Sequence, residues 1–363
     1  FTAVNQSAGQ FNFEWDFAAG DLLTTPAGQQ LSVTGVPAGA YGLTIANDGD
    51  NYFGFFASAT VNSIYRLDYG ANLEGTPTVF KEGNTWIGFV SSRLNNNVFR
   101  LNFGNSLTNT PTTSTVTFPG TFSPQQSQDI KLLKEGNNHI MLLASFSNAQ
   151  FKIVNFGSSF LNQPLTEGTR AVAFTGFSNI QGFDYINECG NWVVIFGDLN
   201  GARIGRAVFG PTFLSGTPVV TNLSTGLPPL AQPSAVSIQQ DNGRLLALVS
   251  SFNEGSIMRL NFGNSLLNTP SGTVLTATGT VPLNNATSME FFKLGNSRTI
   301  SNIVTTTGRL IQITFPGGGL SNGGISALSQ PTIQYNEPGK YFVTLTARNN
   351  EGALAQLVDS IFV

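Results

Sequence analysis

The chain has 363 residues, a net charge of −3 and only 10% charged residues, so it is long enough for a large core or two domains. Phosphate binding needs clustered Lys and Arg, and this composition therefore argues against a nucleic-acid partner. No stretch approaches the ~18 consecutive apolar residues of a membrane span, so we expect no membrane insertion. The single cysteine, Cys189, excludes internal disulfides and multi-cysteine metal sites.

The chain begins with a strand pattern and then becomes a repeat. Residues 11–17 alternate apolar and polar side chains, as a half-buried strand does. Hairpin turns containing glycine then recur in steps of 34, 53, 54, 53 and 52 residues. The glycines of these turns are Gly49, Gly83, Gly136, Gly190, Gly243 and Gly295. The spacing predicts six units, of which the first is about one strand shorter than the others.

A longer motif ends the third strand of the units. Residues 100–111 read Arg-Leu-Asn-Phe-Gly-Asn-Ser-Leu-Thr-Asn-Thr-Pro, and residues 259–270 repeat them with a single change. We interpret the motif as a structural exit turn that carries the chain to an outer strand. Its arginine recurs as Arg66, Arg100, Arg206 and Arg259, which predicts a structural role such as pairing between units.

Four-stranded units of this length are typical of a β-propeller, with a solenoid as the alternative. Residues 29–35 resemble the outer-strand runs but precede the first unit. We therefore predict an all-β, six-bladed propeller over residues 29–325, in which residues 29–35 form the outer strand of the last blade. Closing the ring in this way removes exposed strand edges.

The two ends of the chain share a different pattern. A Trp-Asp-Phe strand lies at 15–17, and a Pro-Gly turn at 338–339 precedes an alternating Tyr-x-Val-x-Leu strand at 341–345. Together these segments resemble the polycystic kidney disease (PKD) domain, which implies an immunoglobulin-like β-sandwich. Residues 18–21 depart from the Gly-Asp-Gly turn of that family. The resemblance predicts a sandwich made of residues 1–22 and 331–363, with the propeller inserted into it.

The Phe-Gly-Asn-Ser-Leu repeats also resemble those of large surface proteins of gliding and related Bacteroidetes that leave the cell by type IX secretion. This resemblance implies an extracellular or cell-surface location and a gliding-associated setting. It also implies that the chain is part of a longer multidomain protein, since the C-terminal sorting domain of such proteins is not in it.

Polar loops between the second and third strands are the predicted binding sites, because such loops meet on one face of a propeller. A glycan or a protein would be the partner. The candidate binding residues in these loops are Arg93, Asn95, Asn96, Asp198, Asn200, Asn253 and Glu254. Asp48 and Asp50 are the candidates for a Ca²⁺ site, since their oxygens lie in one short turn. No other cofactor is expected.

These patterns lead to the prediction of a non-enzymatic adhesion module. One alternative is a secreted enzyme acting on polysaccharide with carboxylates at the propeller mouth. Asp129, Asp184 and Glu290 start first strands and are the candidates for that role, although acids at strand starts are also compatible with solvated surface positions. A purely structural spacer is the third reading.

Overall fold

The structure is a computed structural model, and the part of the chain that it describes consists of β-strands joined by turns. The residues described are 11–17, 22–23, 25–31, 36–48, 51–61, 63–70, 74–75, 79–92, 96–241, 244–276, 283–294, 298–315, 325–328, 330–333, 340–349 and 354–362. In these ranges no helix is long and apolar enough to cross a membrane.

The strands are numbered along the chain. The first six are β1 (Phe11–Asp16), β2 (Ala27–Gln30), β3 (Ala40–Asp48), β4 (Asn51–Ser58), β5 (Ser63–Gly70) and β6 (Glu74–Gly75). The next eight are β7 (Phe80–Glu82), β8 (Thr85–Ser92), β9 (Asn97–Gly104), β10 (Thr112–Thr115), β11 (Ser127–Glu135), β12 (Asn138–Ser145), β13 (Gln150–Asn155) and β14 (Arg170–Ala173). Then follow β15 (Ile180–Glu188), β16 (Asn191–Asp198), β17 (Arg203–Gly210), β18 (Val219–Asn222), β19 (Pro233–Asp241), β20 (Arg244–Ser251), β21 (Ser256–Asn261) and β22 (Ser271–Thr276). The last are β23 (Ala286–Leu294), β24 (Arg298–Thr305), β25 (Leu310–Phe315), β26 (Ile325–Ser326), β27 (Lys340–Asn349) and β28 (Leu354–Phe362).

Six antiparallel sheets follow one another along the chain, so the prediction of a six-bladed β-propeller is confirmed. Blades 2 to 5 are the four-stranded sheets β7–β10, β11–β14, β15–β18 and β19–β22. Blade 1 is the three-stranded sheet β3–β5, as the short first repeat indicated. The first strands of blades 3, 4, 5, 6 and 1 contact one another in that order and line the axis of the ring, and β3 of blade 1 contacts β11 of blade 3 directly.

Blade 6 contains strands from both ends of the propeller. Strands β23, β24 and β25 are joined by β2, which pairs antiparallel with β25 as the outer strand. The strand begins at Ala27, two residues before the run that the sequence pattern marked at 29, and residues 32–35 lie outside the described ranges. On the inner side, β6 pairs with β23 through Gly75 and Phe292.

The apolar cores lie between the blades. Each repeat supplies strands whose alternate side chains face the neighbouring blade, and phenylalanine is most abundant in the core between blades 3 and 4. Between blades 3 and 4, Phe151, Phe174, Phe183 and Phe213 are buried together with Ile153. Comparable clusters join blades 1 and 2, 2 and 3, 4 and 5, and 5 and 6. A further one joins blades 6 and 1.

The repeated Asn-Phe-Gly motif builds the same exit turn in several blades. In blade 2, Gly104 N donates to Asn102 Oδ1 at 2.9 Å, and Asn109 Nδ2 donates to the carbonyl of Phe103 at 2.8 Å. Blades 3 and 5 repeat both bonds with their own asparagines. Gly104 has a positive φ of 67°, which favours glycine at this position. The motif is therefore structural, and function has to be sought elsewhere.

The exit turns of blades 2 to 5 are each held by the preceding blade through a clasp of one acid and one arginine. In blade 1, Asp48 Oδ2 accepts from the N–H of Leu107 at 2.8 Å, and Arg66 Nη1 donates to the Leu107 carbonyl at 2.9 Å. The same clasp links Glu82 and Arg100 to residues 160–162, Glu135 and Arg170 to Phe213, and Glu188 and Arg206 to Leu266. The predicted pairing between units by the recurring arginines is thus confirmed.

Blade 3 keeps the clasp without an arginine at the repeated position. Its third strand has Ile153 where blades 1, 2, 4 and 5 have the arginine, and Arg170 lies directly opposite on the neighbouring strand β14. From there Arg170 donates to the carbonyl of Phe213 through Nη2 at 2.6 Å. The cation is supplied from another strand but reaches an equivalent exit turn.

At the seam of the ring, the clasp of blade 5 holds a residue from the start of the chain. Asp241 Oδ2 accepts from the N–H of Leu22 at 2.8 Å, and Arg259 Nη1 donates to the Leu22 carbonyl at 2.8 Å. Leu22 is buried in the core between blades 5 and 6. Residues 22–26, Leu-Leu-Thr-Thr-Pro, match the Leu-Leu-Asn-Thr-Pro of residues 266–270. Leu22 therefore acts as the exit turn that precedes outer strand β2.

Both ends of the chain meet in a separate sheet, with the strand order β26-β1-β27-β28. Trp15, Phe17, Ile333, Val343 and Leu345 form its buried core. In the described residues the terminal strands make this one sheet, and a second sheet that would complete a sandwich is not among them. The PKD-like identification and the type IX association receive no support beyond the resemblance itself.

Candidate active site

The first strands bring charged side chains together from three blades. Lys131, Asp184 and Glu290 each lie four residues before the end of their strand, on β11, β15 and β23. Asp129 lies two residues before Lys131. Because first strands surround the axis of the ring, equivalent positions on them converge. We call Asp129, Lys131, Asp184 and Glu290 the axial cluster.

An ion pair crosses the ring at the centre of this cluster. Lys131 Nζ lies 3.4 Å from Glu290 Oε1, which connects blade 3 with blade 6. The two side chains are only 11% and 14% exposed. A lysine at this depth needs a partner of opposite charge, and the carboxylates around it provide one. The sequence analysis singled out the three acids and missed Lys131.

Backbone donors of the next blade fix the two aspartates. The N–H of Phe183 donates to Asp129 Oδ2 at 3.0 Å, and the N–H of Ile238 donates to Asp184 Oδ2 at 2.7 Å. Asp184 Oδ1 also accepts from the N–H of Tyr185 at 2.9 Å. Hydrogen bonds of this kind favour the charged form of a carboxylate. Glu290 has Lys131 as its hydrogen-bond donor instead.

The cluster has more acids than bases, and this changes its titration. Burial raises the pKa of Glu290 to about 7, although Lys131 opposes the change. Burial also raises the pKa of Asp129 and of Asp184, again against the effect of Lys131. Burial disfavours the charge on Lys131, but Glu290 and the two aspartates outweigh it and raise the lysine pKa above its usual value. Three carboxylates around one ammonium cannot all ionise easily near neutral pH.

A cavity opens beside the cluster, between blades 1, 2 and 3. It has a volume of about 110 Å³ and is lined by Asp129, Lys131 and Glu290. The other lining residues come from the start of β3, the end of β4, β8, part of β9 and the start of β11, and include Tyr41, Thr44, Phe89, Ser91 and Gln128. At a liquid volume of about 30 Å³ for each water, the space equals that of roughly four water molecules.

None of the predicted loop residues that the structure describes lines the cavity. Asn96, Asn200, Asn253 and Glu254 are exposed. Arg93 and Asn95 lie outside the described residues. Asn96 Oδ1 accepts from the N–H of Gln126 at 2.8 Å, and the Asn253 carbonyl accepts from Asn284 Nδ2 at 2.6 Å. Their role in binding stays a prediction.

Asp198 differs from the other loop candidates because it is fully buried. Its carboxylate accepts from the N–H groups of Ser178, Asn179 and Gly201 and from the Ser178 hydroxyl. These bonds shape the loop after β16 and occupy the oxygens that a ligand would need. In the structure this side chain therefore stabilises the loop through its hydrogen bonds.

For the proposed Ca²⁺ site, Asp48 serves the clasp of blade 1, and its Oδ1 lies 4.0 Å from Lys81 Nζ. Asp50 lies outside the described residues. Within the described ranges, no group of three or more His, Cys, Asp or Glu side chains is placed to hold a metal ion.

Comparison with solved structures finds similar propellers. A subtype N10 neuraminidase-like protein of A/little yellow-shouldered bat/Guatemala/060/2010 is 10% identical, with a TM-score of 0.46 over 81% of this chain and 98% of that one. The RS223 β-xylosidase is 11% identical, with a TM-score of 0.42 over 86% and 96%. A thermostable family-43 glycoside hydrolase is 9% identical, with a TM-score of 0.42 over 86% and 99%. The chain matches no protein-family model and no curated protein by sequence.

The prediction of a non-enzymatic adhesion module is wrong. It treated Asp129, Asp184 and Glu290 as strand-end acids with a solvated role, whereas they are gathered with Lys131 beside a cavity. The alternative reading, with carboxylates at the propeller mouth, is therefore the better one.

The raised pKa of Glu290 predicts a pH-dependent stability. Between its ordinary value of 4.5 and about 7, the folded chain keeps a proton that the unfolded chain has lost. The contribution of Glu290 to the free energy of unfolding is fully present below this pH window and is lost as pH rises through it. The loss is up to ~1.4 kcal/mol for each pH unit. Urea unfolding at pH 5 and pH 7 should show a loss about 2 kcal/mol smaller for Glu290→Gln than for the wild type. Equal losses in both proteins would contradict the shift, and the exposed Glu254→Gln serves as the control.

Proposed function

We propose that the chain is a secreted glycoside hydrolase that acts on a polysaccharide at the axial cluster. The observation that carries the proposal is that Asp129 and Glu290 line one cavity with Lys131 beside them. Glycoside hydrolysis needs two carboxyl groups at one bond, one to protonate the leaving oxygen and one to assist attack on the sugar. The axial cluster supplies both kinds of group within one enclosed space.

Glu290 fits the role of the proton donor. A general acid works best when its pKa lies close to the operating pH, and burial raises the pKa of Glu290 to about 7. Within the described chain, its carboxylate accepts a hydrogen bond from the Lys131 side chain and none from a backbone N–H. Glu290 can therefore hold a proton near neutral pH and give it to the glycosidic oxygen.

Asp129 fits the role of the second carboxylate. The N–H of Phe183 fixes its Oδ2. Burial raises the pKa of Asp129, and Lys131 opposes that rise by favouring the charged form. A carboxylate held in this way can activate a water molecule or attack the sugar carbon directly. Asp184 does not line the cavity. It interacts electrostatically with the same lysine from the neighbouring blade, which makes it a positioning residue.

The direct test is product release from sugars of known structure. The purified chain is incubated with xylan, arabinan, galactan and polygalacturonate, and with aryl glycosides of the matching sugars. We expect reducing ends from at least one polysaccharide, with activity that falls above about pH 7 as Glu290 loses its proton. A correctly folded chain that releases nothing from any of these substrates would rule out the proposal.

A further inference from the structure

A second charged group is buried near the cavity, on strand β13 of blade 3. Lys152 is only 4% exposed. Its Nζ donates to Gln150 Oε1 at 2.7 Å and contacts Gln125 Oε1 at 3.4 Å. It also lies 5.5 Å above the centre of the Phe122 ring. Among the described residues no carboxylate forms an ion pair with it. A buried ammonium whose partners are all neutral is an unusual arrangement, because its charge is left uncompensated.

The lysine fixes the orientation of the two carboxamides. An amide oxygen accepts and its NH₂ donates, so the oxygens of Gln125 and Gln150 both face the ammonium. Asn148 Nδ2 also donates to Gln125 Oε1. The NH₂ groups of Gln125 and Gln150 are on the opposite side of each amide and form no hydrogen bond within the described chain. We call these four residues the amide–lysine cluster. It combines a positive charge with unused donors.

The surrounding loops hold this cluster in place. The Gln125 carbonyl accepts from Ser145 Oγ at 2.9 Å. Gln125 and Ala149 have positive φ angles of 41° and 49°, so both turns are tightly specified. Three residues further along the chain, Gln128 lines the cavity, followed by Asp129. Three extended residues span at most ~11 Å, about the length of two sugar units. Gln125 therefore lies within ~11 Å of the cavity-lining Gln128, so a saccharide that extends from the cavity can reach the cluster.

We propose that the amide–lysine cluster binds the anionic group of an acidic saccharide, either the carboxylate of a uronic acid or a sulfate ester. Both groups are acceptors only and carry the charge that Lys152 lacks in its partners. This inference rests on the proposed glycoside hydrolase function, since it assigns the substrate class of that site. Burial lowers the pKa of Lys152, and a bound anion would restore it.

The test compares matched acidic and neutral ligands. Binding is measured by calorimetry in a chain carrying Glu290→Gln, so that no ligand is hydrolysed. The probes are oligogalacturonate against its methyl ester, and dextran sulfate against dextran. We expect the Glu290→Gln chain to bind at least one anionic probe more tightly than its neutral counterpart. Adding Lys152→Met to this chain should weaken that binding by about tenfold to a hundredfold. Lys81→Met is the control, because it removes one positive charge at a 44% exposed side chain.

Gln150→Leu provides a second variant that keeps the lysine, and we expect it to weaken the same anionic probe. The inference is overturned if the Glu290→Gln chain binds no anionic probe better than its neutral counterpart. It is also overturned if Lys81→Met weakens binding as much as Lys152→Met does. Preference for dextran sulfate alone assigns the sulfate ester, and preference for oligogalacturonate alone assigns the carboxylate. Anion preference without any turnover by the wild type would refute the hydrolase and keep the anion site, whereas turnover of neutral sugars only would refute the anion site.

Discussion

Glu290→Gln is expected to lower kcat on a natural glycoside by about a thousand-fold, in the range of general acid catalysis. Glutamine has nearly the shape of glutamate and cannot protonate a leaving oxygen. Because its side chain is only 14% exposed beside Lys131, a neutral amide also removes the opposite charge from that lysine. The fold should survive, because Asp129 and Asp184 still interact electrostatically with Lys131 in the variant. The measurement is the steady-state rate with a folded variant, checked by its circular dichroism.

The nature of the leaving group separates a proton donor from a merely structural residue. An aryl glycoside with a strongly acidic phenol departs without protonation, so Glu290→Gln should retain most of its activity on that substrate. Asp129→Asn should lose activity on both substrates, because the second carboxylate is needed whatever leaves. The basic limb of the pH profile should also vanish in Glu290→Gln. If Glu290→Gln lost equal activity on substrates with both kinds of leaving group, Glu290 would not be the general acid.

Glu254→Gln is the matched control for this experiment. Glu254 is an exposed glutamate on the loop after β20, and its carboxylate contacts the N–H of Ala231 at 3.4 Å. It was a binding candidate from the sequence and does not line the cavity. We expect its rate on small aryl glycosides to stay within a factor of two of the wild type. If Glu254→Gln lost as much activity as Glu290→Gln, the loss in Glu290→Gln could be explained by lower stability and would not identify Glu290 as the proton donor.

The fold could be predicted from the sequence because the turn residues of each blade recur at a regular spacing. Glycine at the hairpins and the Asn-Phe-Gly exit turn impose backbone geometry that few other residues allow, and so they recur. The recurring arginines likewise marked contacts between blades. The role of Arg170 could not be predicted in this way. Arg170 reaches the clasp from β14, and Ile153 stands on β13 at the position where the repeated motif would have its arginine. A structural role can move to another strand while the contact is kept.

The site was less predictable, for a physical reason. Asp129, Asp184 and Glu290 could be identified as acids of first strands, but Asp184 and Glu290 lie in the middle of β15 and β23 and not at their starts as expected. Strand periodicity does not tell a solvated end from a buried axis. Lys131 could not be predicted as a site residue, because a single lysine among the alternating side chains of β11 carries no local sequence signal for a site. Its importance depends on Glu290, which lies 159 residues away in the chain. Such a contact is set by ring closure and is visible only in three dimensions.

The seam of the ring predicts the largest effect on stability. Leu22→Ala is expected to lower the free energy of unfolding by about 2–5 kcal/mol. Leu22 is only 2% exposed and packs with the core that contains Ile311, Ile313 and Phe315. Truncation would leave a cavity at the point where the first and last parts of the propeller meet. The measurement is urea unfolding at fixed pH.

Leu266→Ala is the matched comparison within the ring. Glu188 and Arg206 hold Leu266 just as Asp241 and Arg259 hold Leu22. If Leu22 is a displaced exit turn, the two variants should lose similar free energy at similar denaturant slopes. Leu267→Ala, at a 45% exposed side chain, should change stability by less than about 0.5 kcal/mol. A Leu22→Ala change as small as that of Leu267→Ala would contradict the role of the seam.

Removing the segment tests closure beyond a single side chain. Deletion of residues 22–30 removes Leu22 and all of β2, so β25 loses its outer partner and blade 6 is left with a free edge. The clasp formed by Asp241 and Arg259 also loses its target. We expect a fall in melting temperature well beyond that of Leu22→Ala, because one strand pairing and one core contact disappear together. A peptide of residues 22–30 added in trans should restore part of the loss, since it supplies the same strand and exit turn. An unchanged melting curve after the deletion would show that the ring does not depend on its seam.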